Sequence, residues 1–434
     1  MQVNKPLTLR RNFSWTFIGN AVYAVCQWGM LVLLAKLGNP EMIGQFTLGL
    51  AVTAPVMMFT NLQLRVIQAT DAKCQFQFHD YLGLRILSTI LALIFIIIIV
   101  LGVNYPPNTA LIILFVGLAK AVESISDVCN GLLQKSEQMD RIAISSMLRG
   151  ALALLLAGVC VSLSRSVLSA TVGMLIAWII VLIFYDLGNA VGILQQQFFN
   201  TTISSSNWLR IMQPRWYGKT LTQLIQLALP MGIVMMLISL NTNIPRYFIE
   251  HYLGERELGI FAAIAYLMYA GQTVEAALGQ SASPRLSQYY TDGKKNAFIN
   301  LLLKLIGIGV LIGVIGIGIA GVAGKEILRL LYTADYVEYV EIFVWIMVTM
   351  MVEYVASFLC YGLIAARHLR VQVPLFITVT STSTIACFWL VPIYGLKGAA
   401  ISLLIATVVR AIISGCLMVH AIHKLPTMSS SEVS

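Results

Sequence analysis

Residues 81–103 read YLGLRILSTILALIFIIIIVLGV, and the only charge in this run is Arg85. A strand is shorter, and a helix on the surface of a soluble protein would show a polar face every 3.6 residues. The run instead suits a helix crossing the hydrocarbon core of a bilayer, which is about 30 Å thick and needs roughly 20 apolar residues. Arg85 lies near its start and reads as a cytoplasmic span end.

The same signal recurs on both sides. Spans are expected at 13–36, 42–64, 81–103, 109–134, 142–163 and 167–188, and then at 221–250, 257–281, 297–322, 336–364, 370–391 and 395–420. That makes twelve. Turn signals between them are short, for example Asn104-Tyr105-Pro106-Pro107-Asn108 and Thr291-Asp292-Gly293. Only the segment 195–220 is long and polar, and it falls near the middle of the chain. The expected organisation is an N-terminal six-helix lobe (1–194), a cytoplasmic linker (195–220), a C-terminal six-helix lobe (221–424) and a disordered Ser-rich tail (425–434). The fold class is therefore all-α integral membrane.

Composition agrees. Of 434 residues, 58% are hydrophobic and 11% charged, where soluble domains carry about 25% charged residues. Mean hydropathy is +0.83. The net charge of +9 does not point to nucleic acid, because the basic residues stand singly at the ends of apolar runs rather than in one patch. They report orientation instead. With the N-terminus inside, seventeen of the 28 Lys and Arg residues fall on the cytoplasmic side and seven opposite, and the remaining four lie within spans. That bias predicts both termini in the cytoplasm, and the expected location is the bacterial cell (inner) membrane. Lys5, Arg10 and Arg11 precede the first apolar run and no small-residue cleavage site follows, so the first helix is expected to remain as an anchor. The seven cysteines show no CxxC spacing and read as small core residues.

The two halves repeat. Leu37-Gly38-Asn39-Pro40-Glu41-Met42-Ile43-Gly44-Gln45-Phe46 follows the first span, and Leu253-Gly254-Glu255-Arg256-Glu257-Leu258-Gly259-Ile260-Phe261 follows the seventh. Val122-Glu123 with Cys129-Asn130-Gly131-Leu132 in the fourth span matches Val352-Glu353 with Cys360-Tyr361-Gly362-Leu363 in the tenth, with one residue of slip. Six helices per repeat give the halves the same orientation, and twinned lobes of this kind enclose a central cavity where a substrate is expected.

With the polar end of the seventh span (Asn241-Thr242-Asn243-Ile244-Pro245-Arg246) and the entry to the last (Gly395-Leu396-Lys397-Gly398-Ala399-Ala400), these features resemble the polysaccharide-transport branch of the multidrug/oligosaccharidyl-lipid/polysaccharide exporter superfamily. The likeness runs over nearly the whole chain. It implies a Wzx-type flippase that moves undecaprenyl-pyrophosphate-linked oligosaccharide from the inner to the outer leaflet for surface polysaccharide such as O-antigen. Peptidoglycan-precursor flippases of the same superfamily carry two further spans, for which there is no room here.

Ionisable groups at bilayer depth cost roughly 2.5–3.5 kcal/mol each, so they must face protein or water. At 100° per residue, Lys120, Glu123, Asp127, Asn130 and Gln134 of the fourth span fall within about 80° of one another, over about 21 Å. Asn12, Thr16, Asn20, Tyr23 and Gln27 form a like stripe on the first span, and Gln272, Glu275, Gly279 and Ser283 share a face of the eighth. Candidate substrate-binding residues are Lys120, Arg246, Arg410, Asn20, Gln27, Asn241 and Asn243. The cations would hold a pyrophosphate or acidic sugar. Glu123, Asp127, Glu275 and Glu353 are candidates for coupling to H+ or Na+. Against this stands a structural reading, in which Lys120, Glu123 and Asp127 neutralise one another and glue helices together. Basic and acidic groups within spans come out about equal in number. Arg149 and Lys304, about eight residues from a cytoplasmic end, are expected to snorkel to the interface. Pro55, Pro230 and Pro245 mark possible bends.

Other signals carry no chemistry. Gly316-Ile317-Gly318-Ile319-Ala320-Gly321 spells GxGxxG inside an apolar helix without a preceding strand, so it reads as helix packing, as does the Gly309–Gly313 pair. His420 and His423 read as interfacial, and Asn200-Thr201-Thr202 as an unmodified cytoplasmic sequon. No Walker motif is present, the outer loops are short, and 195–220 contains no acid or histidine. An enzyme is therefore not expected, nor a cofactor or metal. The expected cargo is a lipid-linked oligosaccharide, the alternative an ion-coupled exporter of small cationic drugs, and a monomer the default state.

Overall fold

A computed structural model describes residues 9–71, 75–199, 211–366 and 371–423. Lys5, Cys74, residues 200–210 of the expected linker with its sequon, and the tail 425–434 lie outside the described residues. Regular structure among the described residues is helical throughout: α1 (Leu9–Leu37), α2 (Pro40–Asn61), α3 (Leu64–Thr70), α4 (Phe78–Val103), α5 (Pro107–Lys135), α6 (Met139–Ser164), α7 (Val167–Val181), α8 (Leu187–Phe199), α9 (Gly218–Leu253), α10 (Glu255–Tyr266), α11 (Met268–Thr291), α12 (Lys295–Leu331), α13 (Val340–Ala365) and α14 (Gln372–His423). A π turn, Leu182–Asp186, joins α7 to α8.

Ten stretches are long and apolar enough to span a bilayer, and α10 with α11, bent by 45°, makes an eleventh. The twelfth is hidden in α14. Its 52 residues would reach about 78 Å as one rod, far beyond a bilayer. Gly395 breaks it at φ 59, ψ −136, a backbone conformation that favours glycine. A Cβ at Gly398 would run into the carbonyl of Leu390, so the chain doubles back there and 372–394 and 395–423 are separate spans. The twelve expected spans are thus present.

The chain divides into two compact units, Met1–Ser239 and Leu240–Ser434. In the first, α1 packs on α6 through small residues. A Cβ at Gly19 would meet Ala143, and one at Gly150 would meet Cys26, the close approach that lets helices associate without a hydrophobic drive. The fourth span, α5, is packed by α2, α3, α4 and α7. In the second unit α13, its repeat counterpart, is packed by α11, α12 and α14. Gly309 and Gly313 of α12 lie on Tyr354, Phe358 and Met351, as their spacing predicts, whereas Gly318 and Gly321 face open space. Large apolar side chains stay exposed along α4, including Ile90, Ile94, Ile98 and Leu101. In water they would be a liability; in lipid they are the solvent-facing side.

Candidate functional site: a buried charge cluster on α5

Pro107 starts α5, where a missing N–H costs nothing, and the helix carries its polar stripe into the interior of the first unit. Two linked groups form along it. Lys120 Nζ stands 2.8 Å from Glu123 Oε2 and lies over the Trp178 ring, 5.1 Å from its centroid. The other oxygen of Glu123 accepts from the Tyr23 hydroxyl at 3.4 Å and faces Arg149 Nη1 at 3.8 Å. One turn on, Asp127 Oδ2 accepts from Arg85 Nη2 at 3.0 Å, and Asp127 Oδ1 lies 3.6 Å from Arg65 Nη1. Arg85 also donates to Asn61 Oδ1 at 2.5 Å, which accepts from Ser124 at 2.9 Å. Arg65 Nε donates to Gln134 at 2.9 Å.

These contacts correct two expectations. Arg149 does not snorkel: its side chain is 7% exposed, and it is turned onto Glu123. Arg85 is not a solvated span end but is wholly buried, because α4 packs against α5 and Asp127, with Asn61, supplies the partners a guanidinium needs inside. The balance of charge shifts with them. Four cations (Arg65, Arg85, Lys120, Arg149) surround two acids (Glu123, Asp127), and even with the buried Asp186 beside Arg149 this cluster keeps an excess of one positive charge. Lys120 and Glu123 do neutralise each other along α5, but Asp127 is held by other helices, not by Lys120. Lys304, by contrast, is exposed.

The second unit carries a sparser group. Arg410 pairs with Glu353 through a short charge-assisted bond, touches Cys360 Sγ at 3.8 Å and lies 5.4 Å from the Phe376 ring centroid. Glu275 is buried at 8% exposure with Oε1 unpaired, and Glu353 and Arg410 are its charged neighbours. This group has one cation and two acids. The repeat-related glutamates, Glu123 and Glu353, thus each meet an arginine.

Of the other candidates, only Gln27 adjoins one of these groups, through Tyr23. Asn20 is exposed on α1 and Gln27 is half-buried beside Tyr23. Arg246 donates to Asn243 at 3.0 Å, one turn away on α9, and Asn241 Oδ1 is buried without a partner. Arg65, Arg85, Arg149 and Asp186 were missed by sequence reasoning. The lone charge in the 81–103 run was the available signal for Arg85.

Residues 9–290 match the family described as polysaccharide biosynthesis protein. The chain belongs to that family. Among curated members of such pathways it is 28% identical over 402 residues to the capsular polysaccharide biosynthesis protein CapF of Staphylococcus aureus, covering 93% of this chain and 97% of that one. Its fold is that of the MOP superfamily. An inward-facing multidrug resistance MATE family transporter aligns with a TM-score of 0.66 at 14% identity, over 99% of this chain and 98% of that one. A MOP superfamily transporter from Pyrococcus furiosus aligns at 0.63 and 15% identity, over 95% and 94%. This polysaccharide biosynthesis protein is therefore a multi-pass membrane protein with a transporter fold.

Proposed function

We propose that the protein carries a lipid-linked oligosaccharide repeat unit, borne on undecaprenyl pyrophosphate, across the cytoplasmic membrane by alternating access. The family and the capsular relative support a polysaccharide cargo, and the fold supports transport rather than catalysis. The observation that carries the cargo reading is the excess of cations, four against three acids, in the buried cluster around α5. A buried cation left without a counter-charge is costly, and a pyrophosphate supplies negative charge to the one in excess while its lipid tail stays in the bilayer. Lys120 and Arg149 are the head-group contacts, with Arg410 and Arg246 as further candidates. The protein works as a monomer with both termini in the cytoplasm, and either an ion gradient, H+ or Na+, or the cargo's own downhill drive powers the cycle.

A second reading has its own support. The group around Arg410 is net acidic, which suits a cationic small molecule, and MATE transporters share the fold. Deletion of the gene separates the two. Lipid-linked oligosaccharide retained on the inner leaflet, with loss of surface glycan, is the expected result. Unchanged surface glycan with raised dye sensitivity would transfer the assignment to drug export.

A further inference from the structure

The chain that leads into the seventh span is tied down before the span begins. Residues 211–217 cross the first turns of α4. The Arg215 N–H donates to the His79 carbonyl at 3.0 Å, and His79 Nε2 donates to the Ile211 carbonyl at 3.0 Å. Gly83 permits the approach, since a Cβ there would run into the Arg215 carbonyl. Met212 is buried with Phe78 and Leu82 of α4, and Leu221 and Leu224 of α9 join the same cluster. The segment is a strap fixed to the N-terminal unit.

Its depth follows from the face it crosses. At 100° per residue, Gly83 falls within about 60° of Leu87, Ile90, Ile94 and Leu101 on α4, and those four side chains are all exposed. The strap thus covers the near end of the stripe that α4 turns to lipid. Gly83 precedes Leu87 by about 6 Å along the helix, the depth of the head groups beside the hydrocarbon core. On its outer side the strap, with the first turn of α9, exposes Arg215, Trp216, Tyr217 and Lys219. Tryptophan and tyrosine favour this level of a bilayer, and cations there meet phosphate. Residues 211–222 contain no acid. The acids flanking the start of α4, Asp71 and Asp80, are turned onto the backbone N–H groups of Gln75, Phe76 and Gln77. We propose that Arg215 and Lys219 bind the phosphodiester of an anionic phospholipid, with Trp216 and Tyr217 at its glycerol esters. The lipid belongs to the leaflet at this end of the span, the cytoplasmic one in the orientation given above. Once bound, it holds the entry to α9 against α4 and stabilises the N-terminal unit. No cargo group takes part.

The test is thermal unfolding of the purified full-length protein in detergent, with phosphatidylglycerol or phosphatidylcholine of the same chain length added at fixed ionic strength. A ligand that binds only the folded state raises the melting temperature saturably, and the wild type is expected to melt higher in phosphatidylglycerol. Arg215→Gln with Lys219→Gln should melt as wild type does in phosphatidylcholine, yet need about thirtyfold more phosphatidylglycerol for the same rise. Arg215→Lys with Lys219→Arg should keep the response. So should Lys294→Gln with Lys304→Gln, which removes two exposed charges from the other unit. No preference for phosphatidylglycerol in the wild type, an intact one in the Arg215/Lys219 glutamine pair, or an equal loss in the Lys294/Lys304 pair overturns the proposal. An equal rise with inorganic pyrophosphate overturns the lipid assignment and makes the two cations a site for free anions. Because no cargo is present, failure here leaves the flippase reading untouched, and failure of that reading leaves this one.

Discussion

The two units solve the same problem with different amounts of charge. Each places a glutamate from the repeat, Glu123 or Glu353, opposite an arginine. The N-terminal unit then adds three more cations and two more acids, tied by bonds to Asn61, Ser124, Gln134 and Tyr23. The C-terminal unit's group stops at Arg410, Glu353 and Glu275, whose Oε1 has no partner. The first unit's buried group is over-supplied with cations and the second unit's with acids. Within a protein interior such an imbalance decides which substitution hurts, because removing one partner of a buried pair leaves the other uncompensated.

The largest effect is expected at Arg85. Arg85→Ala strips Asp127 of its closest cation and empties a fully buried site, so the N-terminal unit should lose about 3–5 kcal/mol. Thermal unfolding in detergent reads this, and a loss under about 1 kcal/mol would show that the network contributes little. Next comes the transport role of the cation excess. In a surface-glycan complementation assay at matched expression, Lys120→Ala should lower glycan on the order of tenfold, equivalent to about 1.4 kcal/mol of cargo interaction, while Lys304→Ala, on an exposed position, should leave it unchanged. Equal tolerance of the two would remove Lys120 from the cargo path.

The comparison also predicts a difference in sign. Glu123→Gln removes an acid from among cations and should destabilise its unit. Glu275→Gln removes one of two acids sharing a single arginine and should stabilise its unit by about 1 kcal/mol, since a neutral amide needs no counter-charge. If both substitutions shift the melting temperature the same way, the charge contrast between the units is not what sets their stability.

Much of this was legible in the chain. Apolar runs of about 20 residues are imposed by the bilayer, so the spans could be counted, and two of them, 370–391 and 395–420, were expected where α14 runs as one element. The stripe on α5 was readable because helical periodicity is local. Its partners were not. Arg65, Arg85 and Arg149 lie on other helices, and charge counting assigns such residues to water because sequence alone does not say which helix comes alongside. Asp186 was hidden for a different reason: a π turn adds a residue to the helical cycle and shifts the register on which periodicity depends.

The smallest effect isolates an acid that neither imbalance touches. Asp71 follows α3, outside the spans, and accepts from the backbone N–H groups of Gln75 and Phe76 at 3.0 and 3.1 Å. Burial raises its proton affinity, but these donors, with Lys135 and the Tyr81 hydroxyl, outweigh it and hold the carboxyl below its ordinary range. The folded chain therefore binds this proton more weakly than the unfolded one. Its stabilisation is complete above the ordinary aspartate value of about 3.9 and is lost as pH falls through the lower native value. Asp71→Asn should cost about 1 kcal/mol at neutral pH, as loss of a capping carboxylate does, and the gap to wild type should close as pH is lowered past 3.9. A gap independent of pH would mean that the side chain acts here by shape rather than charge. The larger losses expected at Arg85 would then need to be retested for the same cause, with Arg85→Lys keeping the charge and changing the shape.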